Sequence, residues 1–151
     1  STTFSKSKVG SLWNNVTQLD AAKISRNMYN NDSSVGVESD LVNSYAWDTA
    51  IVFIQAMGNG NANYANKRSV NSSRANTGKT GDEVCNIHDM ASNCFEWSTE
   101  YSTNAYSSYA NPCVLRGGSY PDSDDYTAYR DGNYATVEGS GTSFRLALYV
   151  K

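Results

Sequence analysis

Histidine, cysteine and proline are all scarce: the 151 residues hold one, three and two of them. With His88 as the only imidazole, any nucleophile–base–acid triad rests on one residue, and no Gly-x-Ser-x-Gly elbow is present. Cys85, Cys94 and Cys113 are too few for a disulfide scaffold and odd in number. They allow either a Cys85–Cys113 bridge with one free thiol or three buried thiols. No run of lysine or arginine occurs, and the formal charge is −3 with a pI near 5.0. A nucleic-acid binder needs a basic face, so no nucleic-acid partner is expected. No segment approaches the roughly 18 consecutive apolar residues of a membrane span, so no membrane insertion is expected either. Ser1 to Lys8 is polar and carries no leader pattern, and a chain that starts at Ser1 without Met is expected to be an excised or trimmed domain.

What is present suits one domain spanning 1–151, with 39% hydrophobic and only 18% charged residues. Ser1 to Lys8 reads as a tail or a first edge strand. Thr17 is a good helix N-cap with Asp20 at the positive end, and Leu19, Ala21, Ala22, Ile24 and Met28 recur at helical spacing. That helix is expected to end near Tyr29, with a turn-rich linker from Asn30 to Ser34. Ser44 is read as the cap of a second helix, whose Trp47, Ala50, Ile51 and Ile54 make one apolar stripe that stops at Gly58. From Gly58 to Gly81 the chain is aperiodic and rich in Asn, Ser and Gly. So long a loop in a small domain is functional or tied down. Short strands are expected around Ile87 to Met90, Glu96 to Thr99 and Val114 to Arg116. A last strand is expected at Phe144 to Val150, where apolar residues alternate. The outcome is an α+β fold with much irregular structure.

Several constellations invite chemistry. Gly78-Lys79-Thr80 ends like a phosphate loop, but Ser73 stands where its first glycine belongs and no apolar strand precedes it. His88 with Cys94 could form a nucleophile pair, and Cys85, His88, Cys94 and Cys113 could form a zinc shell, although no knuckle spacing supports the latter. Asp89, Asn93 and Glu96 place hard oxygen ligands close together in irregular chain. They suit either calcium or a hydrogen-bonded turn.

The stretch Asn86 to Glu100, read Asn-Ile-His-Asp-Met-Ala-Ser-Asn-Cys-Phe-Glu-Trp-Ser-Thr-Glu, resembles the signature of the formylglycine-generating enzyme (sulfatase-modifying factor) superfamily. Val114 to Tyr120, containing Arg-Gly-Gly-Ser, is similar to that family's Arg-Gly-Gly-Ser-Trp, and Ser143 to Leu146 to its closing Gly-Phe-Arg. The resemblance implies a variant of the C-type lectin fold: two helices, here Thr17 to Tyr29 and Ser44 to Met57, with small antiparallel sheets carrying long loops. It also implies one structural calcium on Asp89, Glu96 and the backbone carbonyls of Ser92 and Cys94. The oxidases of the family hold copper with two cysteines in the segment after Gly-Gly-Ser. Tyr120 to Gly141 contains no cysteine, so neither copper nor oxidase activity is expected. A degenerate oxidase and a structural tail or pilus module remain the alternatives.

The same fold serves as the variable protein of diversity-generating retroelements. In those systems adenine-directed mutagenesis rewrites codons between the Gly-Gly-Ser motif and the closing strand, which yields Asn, Asp, Ser, Tyr, Thr, Gly, His and Arg. The stretch Ser119 to Tyr134 draws heavily on that set. Its tyrosines (Tyr120, Tyr126, Tyr129, Tyr134) offer rigid contact area. Ser119, Asp122, Ser123, Asp124, Asp125, Arg130, Asp131 and Asn133 supply adaptable polar contacts, in the manner of an antibody paratope. The resemblance implies a ligand-binding domain on a virion, extracellular or cell surface, with a protein or glycan on a target cell as its partner.

Overall fold

The structure is a computed structural model, and it describes residues 11–29, 36–101, 112–122 and 124–150. The expected edge strand at Ser1 to Lys8 and the linker at Asn30 to Ser34 lie outside the described residues, as does Ser123.

Helix α1 (Gln18–Tyr29) starts where the sequence places it. The Thr17 hydroxyl accepts from the Asp20 N–H at 3.0 Å and donates to the Asp20 carboxylate at 2.8 Å, so cap and first-turn acid hold each other. Its stripe is narrower than the spacing suggested. Ala21 and Ser25 are buried, whereas Leu19 is 60% exposed. The helix lies on strand β1 (Val37–Leu41), where the Ser39 hydroxyl donates to the Ser25 carbonyl at 2.6 Å. Helix α2 (Ser44–Met57) buries Trp47, Ile51 and Ile54 as read from the sequence. Its cap is Asn43, not Ser44: the Asn43 side chain accepts from Ala46 N–H at 2.8 Å, and the Ser44 hydroxyl donates to Glu100 instead.

A hairpin follows, β2 (Glu83–Val84) and β3 (Ile87–His88), turning through Cys85 and Asn86 with both φ values positive. The main sheet holds β4 (Phe95–Tyr101), β5 (Cys113–Arg116), β6 (Arg130–Asn133) and β7 (Thr142–Phe144) in the order β6-β5-β4-β7. β4 pairs antiparallel with β5, β5 antiparallel with β6, and β4 parallel with β7. The expected closing strand divides at Arg145. β7 stays in the main sheet, while β8 (Leu146–Val150) turns away to pair antiparallel with β1, Leu41 opposite Leu146. The alternation there does not mark burial: Leu148 and Val150 are exposed. Three strands, β1, β2 and β6, had no place in the sequence reading.

Two core clusters lie on either side of β4. One gathers Trp47, Ile51, Ile54, Tyr64, Met90 and Ala91 under α2; the other gathers Val16, Ala21, Leu41, Trp97, Cys113 and Leu115 under α1. Where β5 ends, the chain crosses the first cluster at very close range. A Cβ on Gly117 would meet the Met90 carbonyl oxygen at 2.7 Å and the Trp47 ring at 2.9 Å, and φ there is +90°. A Cβ on Gly118 would overlap the Ala91 carbonyl, 3.0 Å from its carbon. The Gly-Gly pair is therefore required by main-chain approach, and it delivers the following segment onto the surface at a fixed place.

Candidate functional site

The segment Ser119 to Tyr134 is held by its backbone. Tyr120 N–H donates to the Asn93 carbonyl at 2.9 Å, Thr127 N–H to the Lys67 carbonyl at 3.0 Å, and Ala128 N–H to the Ala65 carbonyl at 2.9 Å. The Thr127 hydroxyl also donates to the Lys67 carbonyl, at 3.2 Å, and the Trp47 indole N–H donates to the Thr127 carbonyl at 3.1 Å. Short-range turns close the segment on itself, with Asp122 N–H on the Ser119 carbonyl at 3.2 Å and Tyr129 N–H on the Tyr126 carbonyl at 2.8 Å. The long loop from Gly58 to Gly81 is thus tied down, and the segment it holds is this one. The end of the segment, Arg130–Asn133, is strand β6, with Arg130 opposite Arg116 and Asn133 opposite Cys113.

Side chains divide sharply. Asp122, Asp124, Tyr126, Arg130, Asp131 and Tyr134 are exposed; Tyr120, Tyr129 and Asn133 are half-buried. Ser119 and Asp125 are buried, so these two expected contact residues do not belong to the outward face. Ser123, also expected there, lies outside the described residues. Tyr126 and Tyr129 stack edge-on with centroids 5.7 Å apart, and Tyr129 leans on Phe95 at 6.2 Å.

Two partners of the face escaped sequence reasoning. Arg68 pairs with Asp124 at 2.5 Å and forms a backbone bridge with Tyr126; Glu100 on β4 pairs with Arg130. Both come from distant stretches, and no local pattern announces them.

The motif residues around the segment hold it in place. Arg116 is fully buried, reaches Asp48 and lies with its guanidinium 6.0 Å from the Trp47 ring centre. Arg145 lies 5.1 Å from the same ring. Two cations packed on one indole fix its plane, and that indole carries the Thr127 carbonyl.

The calcium expectation does not fit this arrangement. Glu96 is buried and both its oxygens accept from Arg145, one at 2.7 Å. Asp89 accepts from Gly78 N–H at 2.6 Å and from the Thr80 hydroxyl at 2.5 Å. The Ser92 hydroxyl accepts from Val70 N–H at 3.0 Å, and the Cys94 thiol faces the Ser140 carbonyl at 3.7 Å. Both carboxylates already have protein donors, and the Arg145 guanidinium supplies the positive charge beside Glu96. Burial opposes charge on both members of the pair. For Glu96 it prevails and raises the carboxyl, whereas for Arg145 the adjacent Glu96 outweighs burial and raises the guanidinium.

Among the described residues no three His, Cys, Asp or Glu side chains converge as metal ligands, so the zinc shell of Cys85, His88, Cys94 and Cys113 is not assembled. All three cysteines are free thiols, Cys85 exposed and the other two buried. Burial and then Glu96 push the Cys94 thiol up to about 12, which keeps it neutral and a poor nucleophile. His88 has a side chain 10% exposed, with Nδ1 3.7 Å from the Glu83 carboxylate. No helix among the described residues is long and apolar enough to cross a membrane.

No family model, no curated protein and no solved structure matches the chain.

Proposed function

We propose that this chain is a ligand-binding domain of C-type-lectin-like architecture, a variable protein diversified by a retroelement and displayed on a phage or bacterial surface. Its working part is the outward face of Asp122, Asp124, Tyr126, Arg130, Asp131 and Tyr134, which meets a protein or glycan on a target cell. It acts by recognition and not by catalysis.

One observation carries this reading: the segment is fixed through main-chain hydrogen bonds, while these six side chains point to solvent. Backbone donors and acceptors are the same whatever side chain a residue bears. Such a segment can change its outward residues without losing its path, and a rigid path lowers the entropy cost of binding. Tyr126, Tyr134 and Arg130 at those places are residue types enriched in interfaces over the rest of a protein surface.

The test has two arms. A variant with all six outward residues replaced by serine is expected to keep the parental fold, read from its circular dichroism and a single cooperative urea transition. It is also expected to lose pull-down of the surface extract that the parent captures. Retained capture by the six-serine variant refutes the face. Sequencing of sibling genes is expected to show variation at these six codons and none at Gly117, Gly118 or Thr127; variation spread evenly along the chain refutes the diversification.

A further inference from the structure

Helix α2 is apolar on both sides. Its inner side buries Trp47, Ile51 and Ile54, yet Tyr45, Thr49, Val52, Phe53, Ala56 and Met57 are all exposed on the other. A helix at a protein surface ordinarily turns charged residues to water, and Asp48 is the only charged residue in Ser44–Met57. The polar groups beside the exposed stripe are engaged within the chain. Asp48 accepts from Arg116, the Thr49 hydroxyl donates to the Tyr45 carbonyl at 2.7 Å, and the Gln55 amide donates to the Ala62 carbonyl at 2.6 Å. What meets solvent is chiefly ring, methyl and thioether: Tyr45 is 87% exposed, Val52 63%, Phe53 46% and Met57 67%.

The order of these residues selects the occupant. Tyr45, Thr49, Val52 and Ala56 follow one another at intervals of four, three and four, the spacing of a coiled-coil seam. The seam is its own complement when a second copy lies antiparallel across a two-fold axis at the level of the Ala50–Ile51 peptide. Tyr45 then stands opposite Ala56 of the second copy and Thr49 opposite its Val52, so each layer sets a larger side chain against a smaller one. Like charges do not meet across it, because the seam carries none. Tyr45, Val52, Phe53 and Met57 leave roughly 500 Å² in the open, so a pair removes on the order of 1,000 Å² from water, the lower limit for a specific interface.

We propose that α2 pairs with α2 of a second copy of this chain, antiparallel, through the seam of Tyr45, Thr49, Val52 and Ala56, with Phe53 and Met57 widening the contact at its edge. This does not rest on the binding face. The six outward residues of that face all lie beyond Gly118, so pairing through α2 consumes none of them. Two joined copies hold a target with repeated ligands more firmly than one copy does.

Sedimentation velocity of the full chain between about 10 µM and about 1 mM tests the pairing. The parent is expected to pass from monomer to dimer with a dissociation constant of roughly 10–100 µM, as suits so small an interface. Tyr45→Glu and Val52→Lys, both at exposed positions, are each expected to weaken the dimer by about tenfold or more and to keep the parental circular dichroism. In a mixture of isotope-labelled and unlabelled parent, NMR is expected to show contacts between the Tyr45 ring of one copy and the Ala56 methyl of the other. A parent that stays monomeric at about 1 mM overturns the proposal, as does a dimer that neither substitution weakens. Contacts from Ala56 to Ala56 overturn the antiparallel arrangement. A monomeric parent whose capture of the surface extract is abolished by Val52→Lys assigns the helix to a different protein, and overturns the pairing too.

Discussion

Replacing Asp125 with asparagine should stabilise the protein, and only where the carboxyl would be charged. Burial first, then Asp122, Asp131 and Asp124, raise the Asp125 carboxyl from an ordinary 3.8 to about 6. The folded state therefore holds the proton more tightly than the unfolded state does. The stabilising contribution of that proton is fully present below the ordinary value and is lost as pH rises through about 6. At about 1.4 kcal/mol per pH unit, the gap sets a ceiling of ~3 kcal/mol on the penalty that the parent carries at neutral pH. Three of the four causes are repulsions from neighbouring exposed carboxylates, and salt screens these, so about 1–2 kcal/mol is the expected penalty at about 0.15 M salt. Asparagine keeps the shape and removes the charge. Urea unfolding of both proteins should give curves that differ little at about pH 4. At about pH 7.5 the variant should be the more stable by about 1–2 kcal/mol, with the same m-value. The remaining acids titrate alike in both proteins and cancel in the difference. A stability difference that stays flat between the two pH values, or a variant less stable at the higher one, refutes the account of Asp125 as an unbalanced buried charge.

Three further outcomes test the scaffold. Gly118→Ala should cost about 3 kcal/mol or more in urea unfolding, because the new Cβ meets main chain at Ala91 and not a movable side chain; an unchanged midpoint would mean that the chains are not so close. Arg145→Met should cost about 3–5 kcal/mol by leaving Glu96 buried without its cation, and adding Glu96→Leu should recover part of the loss. No recovery in the double variant would show that Arg145 acts through Trp47 packing alone. Millimolar calcium or a chelator should leave the melting temperature unchanged, since Arg145, Thr80 and Gly78 already occupy the carboxylates of Glu96 and Asp89; a saturable rise would restore the calcium site.

The parts of the fold that were legible in sequence are those whose cause is local. Thr17 and Asp20 announce α1 because cap and acid act within one turn, and Trp47, Ile51 and Ile54 announce α2 because burial repeats with the helical period. The cap of α2 was misplaced by one residue. Asn43 and Ser44 are both able caps, and the choice is made by Glu100, which takes the Ser44 hydroxyl from 56 residues away. β6 could not be read at all. Arg-Asp-Gly-Asn has no strand pattern, and it is a strand because β5 lies beside it with free main-chain partners. The sequence singled out Asp89 and Glu96 as oxygen ligands; in the structure a backbone N–H and a hydroxyl serve Asp89, and a cation serves Glu96. The one that serves Glu96, Arg145, stands 49 residues along the chain. In an alternating strand it reads as an ordinary solvent-facing position, so nothing near Glu96 announces its partner. The face was half legible: composition picked the segment, but only packing separates Tyr126, which points out, from Thr127, which points in.

That separation gives the segment two kinds of position with opposite tolerances. At the six outward places a substitution breaks at most a partly exposed contact, such as Arg68 with Asp124, Glu100 with Arg130 or Tyr126 with Tyr129, and a shift within about 1 kcal/mol is the ordinary result. At Thr127 a hydroxyl, a carbonyl and an N–H are all in use, so a substitution leaves a buried group unpaired. Asp125 belongs to neither kind. It is buried like Thr127, yet its charge, opposed by burial and by Asp122, Asp131 and Asp124, weakens the chain at neutral pH. A substitution that relieves Asp125 in the folded protein, such as Asp122→Asn, should therefore raise stability at neutral pH, by less than Asp125→Asn does. An Asp122→Asn variant no more stable than its parent at about pH 7.5 would leave the raised Asp125 carboxyl without its explanation.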